Sequence, residues 1–341
     1  MNLIQTGTIS SGAILAFLVF GLQTTATADD KAASTKPVTE QIVDVQTQLA
    51  KGPYPGLRAN HAKGIVATGT FTPTPAAAKL SKAVHFQSAS TPVIVRFSNA
   101  GGVPTIADAS PKSTPKGIAI RFQLPDEAVT DIVSFSADRF PVQTPEQFLA
   151  LLQAIAASGP DVAKPTPVER FLEANPTAKT FVKLPKPIPA SFVTQTYHGV
   201  NAFRFTNAAG ESQFGRYRIV PVAGEKHLTD EQVAAAGNDF LLEELPARLK
   251  AGPASFKLLV QLAGEGDSVD DPTKVFPQDN PVVELGTLTL NEVVADSKAE
   301  ERKLAFNPLI LPDGIAPSND PVLLARPAAY AVSVGRRLTT R

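Results

Sequence analysis

Four histidines, His61, His85, His198 and His227, are the side chains of this 341-residue chain best suited to move protons near neutral pH. None is spaced from another like a zinc-binding pair. Taken singly, each reads as a surface residue or a satisfied core residue. Cysteine is absent and Met1 is the only methionine. That excludes disulfides, thiolate nucleophiles, cysteine-ligated zinc and iron–sulfur clusters. The phosphate-binding loop, G-x-G-x-x-G, H-E-x-x-H and G-x-S-x-G are all missing. Residues 264–271 (GEGDSVDD) are acidic but lack the ligand order of an EF-hand, so they read as a solvated turn. Lys+Arg (32) balances Asp+Glu (32), without the basic excess of a nucleic-acid binder. With no Trp, 4 Tyr and 19 Phe, the aromatic content is nearly all apolar and suits a greasy pocket as well as a core. These tests leave the function open.

Three longer stretches narrow it. Residues 58–64 read RANHAKG and residues 91–98 read TPVIVRFS. The third runs from Gly314-Ile315-Ala316-Pro317-Ser318, through Asp320-Pro321 and Arg326-Pro327-Ala328-Ala329-Tyr330, to Arg336-Arg337. Between them lie KGIAIRF (116–122), TKVFP (273–277) and LAFNP (304–308). Together and in this order they resemble the haem-binding signatures of the haem catalase superfamily, specifically its short catalase-related peroxidase branch. The resemblance covers about residues 53–341. It implies an α+β fold: an antiparallel β-barrel with inserted and surrounding helices that forms a haem domain.

The residues can be read beside that resemblance. Haem iron needs an axial ligand, and with no Cys or internal Met the strong candidates are His and Tyr. The resemblance makes Tyr330 the metal ligand. A phenol must lose its proton to serve, and a nearby guanidinium favours the anion. If the segment is helical, Arg326 lies one turn before Tyr330 on the same face, and Arg337 follows at i+7, within reach of a haem propionate. Pro327 removes one helical hydrogen bond and is expected to kink the segment. On the other side of the porphyrin the resemblance places His61 as general acid–base, with Ser98 hydrogen-bonded to its ring. Arg96 and Ser98 alternate on one face of a strand. An inward arginine is costly unless paired, and a haem propionate would be the partner, with Arg58 a second candidate. Phe148 falls where the family packs an aromatic against the haem, and Asn201 lies behind Arg326. The implied cofactor is haem b, held non-covalently.

One departure bears on activity. Full-size catalases carry a distal asparagine after a D-L-V segment, which helps orient peroxide. Here Asp131-Ile132-Val133 is followed by Ser134-Phe135-Ser136, and the chain is much shorter than a full-size catalase. NADPH binding and tetramer formation are therefore not carried over. The resemblance implies a peroxidase that reduces hydrogen peroxide or organic hydroperoxides with an external organic or protein electron donor. At most weak catalase activity is expected. A non-catalytic haem-binding or transport protein, or a hydroperoxide-rearranging enzyme of the same fold, would carry a similar pocket. No nucleic-acid partner is expected, and the assembly is read as a monomer or small homo-oligomer.

The elements that must position these residues follow from the pattern. Strands read over 65–71, 92–99, 117–124 and 131–136, then over 201–207, 213–222 and 255–263, with 286–290 weaker. Each is β-branched or aromatic and bounded by Pro, Gly, Asn or Asp. Thr144-Pro145-Glu146-Gln147 opens a helix as a capping box, with Phe148, Leu151, Leu152 and Ile155 as its apolar face. Thr166-Pro167-Val168-Glu169 repeats that helix start, and 229–250 is helical in pattern. With no internal repeat or linker, residues 52–341 read as one domain, and 29–51 as a polar tail or a short helix strapped to it. Residues 1–28 read as a signal peptide: the apolar run 13–22 is too short to cross a bilayer comfortably and is followed by Ala26-Thr27-Ala28. Export to the periplasm is expected, with no membrane association after cleavage; an uncleaved anchor is the alternative.

Overall fold

The computed structural model describes residues 36–339; the expected signal peptide, 1–28, lies outside the described residues. No helix among the described residues is long and apolar enough to cross a membrane. In chain order the strands are β1 (Gly64–Pro73), β2 (Thr91–Ser98), β3 (Gly117–Gln123), β4 (Val129–Phe135), β5 (Tyr197–His198), β6 (Phe203–Thr206), β7 (Ser212–Pro221), β8 (Ala254–Leu262), β9 (Val282–Val293) and β10 (Ile315–Pro317). All pairings are antiparallel. The order β7-β5-β4-β3-β2-β1-β9-β8, with β8 paired back to β7, closes an eight-stranded barrel; β6 and β10 extend the sheet outward from β7.

Alternation builds this barrel and also exports the chemistry. Val93, Val95 and Phe97 of β2 are buried, as are Ile118, Ile120 and Phe122 of β3. The two sets are in register and fill the interior. The Phe97 and Phe192 rings stack at 5.3 Å, and Phe71 meets Phe122 edge-on at 5.3 Å. Each such buried side chain contributes about 1.5–3 kcal/mol relative to exposure. The interior is thus a packed core, and the intervening residues Arg96, Ser98, Gly117 and Ala119 face the other way. The weak candidate at 286–290 is the middle of the longest strand, β9. Glu284, Thr287, Thr289 and Asn291 diluted its signal, yet Leu285, Leu288 and Leu290 are fully buried.

The helices are α1 (Val38–Leu49), α2 (Pro75–Leu80), α3 (Val84–Gln87), α4 (Pro145–Ala156), α5 (Pro167–Ala174), α6 (Pro176–Val182), α7 (Asp230–Ala235), α8 (Phe240–Ala251), α9 (Ser297–Lys303) and α10 (Pro321–Thr339). Thr144 caps α4 by accepting from the Gln147 amide, and Thr166 with Glu169 forms a full capping box on α5. The helical pattern over 229–250 is interrupted at Gly237-Asn238-Asp239, so it forms α7 and α8. Within the segment read as a tail or strapped helix, α1 packs against α4 and α10. Arg336 of α10 grips it through Asp44 at 2.6 Å and Glu40 at 3.4 Å. Pro327 does not break α10, which runs through it; only the hydrogen bond its nitrogen cannot donate is lost.

Two motif lysines, read only as parts of signatures, meet in a buried ionic cluster. Asp108 is fully buried and lies 2.6 Å from Lys63 Nζ. Its carboxylate also accepts from Asn99 Nδ2 at 2.6 Å and from the Leu241 amide at 2.8 Å. Lys116 Nζ donates to Asn99 Oδ1, the Asp108 carbonyl and Ser113 Oγ at 2.6–2.8 Å. Burial pushes Lys116 down to about 7. Removing the Asp108 carboxylate leaves the buried Lys63 ammonium with the exposed Asp239 as its carboxylate partner and takes the acceptor from the Asn99 side chain and the Leu241 amide, so Asp108→Ala should lower unfolding free energy by about 3–5 kcal/mol. Urea denaturation reads this; a loss under about 1 kcal/mol, the worth of an exposed pair, would contradict it.

His85 is a second buried group with a stability consequence. It packs against Phe86 at 4.0 Å and Phe122 at 4.8 Å, and its Nδ1 has no partner. Burial pushes its pKa down to about 3. The folded state therefore resists a proton that the unfolded chain takes up near pH 6.5. Stability is full above pH 6.5 and declines as pH falls toward 3. His85→Leu should remove roughly 2–3 kcal/mol of that decline between pH 7 and pH 4.5. Denaturation at several pH values reads this, and an unchanged slope would contradict it.

Candidate active site

His61 lies in the loop that leads into β1, with a left-handed backbone at φ 55°. Asn60 Oδ1 holds that turn by accepting from the His61 amide at 3.0 Å and the Gly101 amide at 2.8 Å. Arg96 Nη2 donates to the His61 carbonyl at 2.8 Å. The ring meets Ser98, with Nδ1 3.0 Å from Oγ. Register explains why the ring fits: Gly64, Ser98 and Gly117 are paired across β1, β2 and β3. A Cβ on Gly117 would stand 2.8 Å from Ser98 Oγ and 3.0 Å from the imidazole, so only glycine leaves the ring its place. Gly64 does the same for Arg96, whose Nη2 would be 2.4 Å from an added Cβ. Burial first, then the positive charges of Arg96, Arg58 and Arg326, push His61 down to about 3. The imidazole is neutral across the physiological range.

Tyr330 stands on α10. Arg326 donates to its phenolic oxygen twice, from Nε at 3.1 Å and from Nη2 at 2.8 Å. Two guanidinium N–H groups thus converge on one oxygen. The guanidinium is itself anchored: Nη1 donates to Asn201 Oδ1 at 2.8 Å. Asn201 Nδ2 in turn donates to Asp320 Oδ2 at 2.6 Å, and Asp320 Oδ1 caps α10 by accepting from the Val322 amide at 2.9 Å. The expected proximity of Arg326 and Tyr330 is direct contact, with Asn201 behind it.

Arg58, Arg96 and Arg337 form the third part. Arg58 Nη2 and Arg337 Nη2 both donate to the Leu304 carbonyl at 2.8 Å. Sequence reasoning paired Arg96 with an external carboxylate. The structure gives it an internal one, Glu301 of α9, with Oε2 accepting from Nε at 2.8 Å. Nothing in the charged run SKAEERK marked Glu301 as buried, because that composition reads as a solvated helix face.

The side chains the resemblance assigns to the site, Arg58, His61, Arg96, Ser98, Phe148, Asn201, Arg326, Tyr330 and Arg337, line one cavity of about 280 Å³. Its walls are otherwise mostly apolar, with Val133, Phe135, Phe140 and Phe306 among them, and Phe148 sits 5.0 Å from Phe140 ring to ring. Ser134 and Phe135, of the segment that follows Asp131-Ile132-Val133, both line the cavity. Thr39, Ile42, Val43 and Gln46 of α1 also line it, a contribution the polar composition of that segment concealed. The arrangement sets a neutral, hydroxyl-held imidazole and a guanidinium-held phenol in one greasy chamber that has a cationic end.

Comparisons with known proteins agree along most of the chain. The Catalase family model matches residues 42–341. A protein described as a catalase-related peroxidase from Mycolicibacterium paratuberculosis is 38% identical over 289 residues, covering 84% of this chain and 90% of that one. One so described from Synechococcus elongatus is 36% identical over 287 residues, covering 83% of this chain and 84% of that one. The structure of catalase A from Saccharomyces cerevisiae superposes with a TM-score of 0.74 at 25% identity, covering 87% of this chain and 64% of that one. The family match runs from within α1 to the end of the chain, and the relatives at 38% and 36% identity each align along more than four fifths of it: the chain belongs to the catalase family.

Proposed function

We propose that the protein is a haem peroxidase, reducing hydrogen peroxide or an organic hydroperoxide with electrons from an external donor. The reading is carried by one observation. The Ser98-held imidazole of His61 and the Arg326-held phenol of Tyr330 line the same apolar cavity. Its relatives' description as catalase-related peroxidases supports the same reading.

The residues fit haem b by their chemistry. Three guanidiniums with one carboxylate among them leave two positive charges, which match two propionates. The apolar walls match the ring edge, and Phe148 is available to pack on its face. Tyr330 offers an oxygen held by two N–H donors and is the proposed iron ligand. When bound, haem supplies the redox-active iron at which the peroxide O–O bond is broken.

The protein's own part is to handle protons and exclude water. Ser98 engages His61 Nδ1, which leaves Nε2 for the peroxide. A neutral Nε2 accepts the proton from one peroxide oxygen and delivers it to the other, which departs as water or alcohol. The low proton affinity of this ring keeps the transfer transient, so the ring returns to its neutral form each time. Arg326 holds the phenol oxygen through two hydrogen bonds, and the Asn201–Asp320 chain fixes Arg326 in place. Overall, one peroxide, two protons and two donor electrons give one alcohol and one water, or two waters from hydrogen peroxide.

Haem-loaded protein should consume peroxide in proportion to an added reducing dye, with both hydrogen peroxide and an alkyl hydroperoxide, and should release little oxygen. Haem binding without dye oxidation would instead support a carrier. An isomerised, oxygen-retaining product formed without loss of dye would support a rearranging enzyme. Cleavage after Ala28 and export to the periplasm complete the proposal; they rest on the A-x-A pattern and are read by N-terminal sequencing of the exported protein.

A further inference from the structure

The cationic end of the cavity contains a carboxylate that the proposed chemistry does not use. Glu301 is 8% exposed on α9. Its Oε2 lies 2.6 Å from Arg96 Nη2 and 3.6 Å from Arg58 Nη1. The other protein acceptors on these guanidiniums are the carbonyls of Leu304, Arg302 and His61. Carbonyls satisfy hydrogen bonds but leave the charge uncompensated. The strain of that charge is visible at Arg58, which burial, Arg96 and Arg337 push down to about 8, while Glu301 acts in the opposite sense. Glu301 is therefore the counter-ion that makes the cluster tolerable when no other anion is near.

A ligand carboxylate arriving at this cluster gains the guanidiniums and meets Glu301 as a like charge in a poorly hydrated place. We propose that Glu301 is a built-in competitor for the carboxylates of the cofactor: it holds the arginine clamp together in the empty protein and lowers the clamp's affinity for a porphyrin with free carboxylates. The proposal rests on the haem reading above. Two consequences have opposite signs. Neutralising Glu301 removes the internal counter-ion, so the empty protein becomes less stable. It also removes the repulsion felt by incoming carboxylates, so a dicarboxylic porphyrin binds more tightly. A side chain that merely supported the fold would weaken both.

The test titrates the full chain, freed of haem, with metal-free protoporphyrin IX and with its dimethyl ester, following porphyrin fluorescence. The iron-free probes exclude any contribution from Tyr330 ligation. Glu301→Gln should bind protoporphyrin IX about tenfold more tightly, the scale of one close like-charge interaction. Its affinity for the ester should change by less than about twofold, since the ester carries no charge to repel. The melting temperature of the empty protein should fall, and the gap between empty and porphyrin-bound protein should widen. Glu301→Asp, which keeps the charge and shortens its reach, supplies a second variant if Glu301→Gln does not fold; its ratio of the two affinities should shift in the same direction by less. An unchanged ratio, or equal loss for both porphyrins, overturns the proposal while the haem reading stands. A wild-type protein that binds neither porphyrin overturns the proposal, and one that also fails to take up ferric haem overturns the haem reading.

Discussion

His61→Ala should bind haem as the wild type does and react with peroxide at least ~10²-fold more slowly, the low end for loss of a positioned acid–base group. The imidazole is the one proton-transfer group that lines the cavity, is neutral at working pH and has its second nitrogen already engaged by Ser98. Its removal leaves Gly117 facing open space and the proton without a carrier. Stopped-flow mixing of haem-loaded protein with peroxide measures the rate, and wild-type speed in the variant would contradict the assigned role. A pH profile adds an independent check. Because burial and three arginines push His61 down to about 3, the base is already deprotonated throughout pH 4–8. The wild-type rate should show no loss centred near pH 6.5 and should fall only as pH approaches 3, where the base becomes protonated.

Tyr330→Phe should retain the fold and lose haem affinity by on the order of 10²-fold or more, beyond the 10–100-fold typical of an outer partner of a metal ligand. The substitution deletes one oxygen and leaves Arg326 Nε without its acceptor and Nη2 with the long contact to the Val133 carbonyl at 3.4 Å. A half-buried guanidinium losing its acceptor is a further cost to the cavity. Haem that remains should show a changed absorption spectrum. Transfer of haem to apomyoglobin reads the affinity as a dissociation rate, and a variant that keeps haem with an unchanged spectrum would contradict ligation by Tyr330.

The barrel was readable because its strands are β-branched or aromatic and bounded by turn residues. In β2 and β3 the residues Val93, Val95, Phe97, Ile118, Ile120 and Phe122 fill the core, while Arg96 and Ser98, read from the sequence as an inward pair, share one face as expected but lie opposite that core and line the cavity. Helix starts were readable where Thr-Pro supplied both cap and first turn, as at Thr144 and Thr166. The Arg326–Tyr330 pair was readable by helical spacing, and it survives Pro327 because a single lost amide bond does not unwind a helix of nineteen residues.

What was hidden depended on long-range partners. Lys63, Asp108 and Lys116 look like surface charges in sequence; only barrel closure and the loop ahead of β3 bring them together in the interior. Glu301 sits in a run whose composition is that of a solvated helix, and its burial comes from arginines 205 and 243 residues before it in the chain (Arg96 and Arg58). Helix α1 was obscured for the same reason. Its two buried apolar residues, Ile42 and Val43, matter because they complete a cavity wall built elsewhere.

The most direct measurement is a titration of the haem-free full chain with ferric haem, followed by absorption. The account predicts saturation at one equivalent and a high-spin ferric Soret spectrum. It also predicts that Tyr330→Phe abolishes or shifts that spectrum while His61→Ala preserves it. A chain that stays colourless with haem present, or one whose spectrum is indifferent to Tyr330, would contradict it.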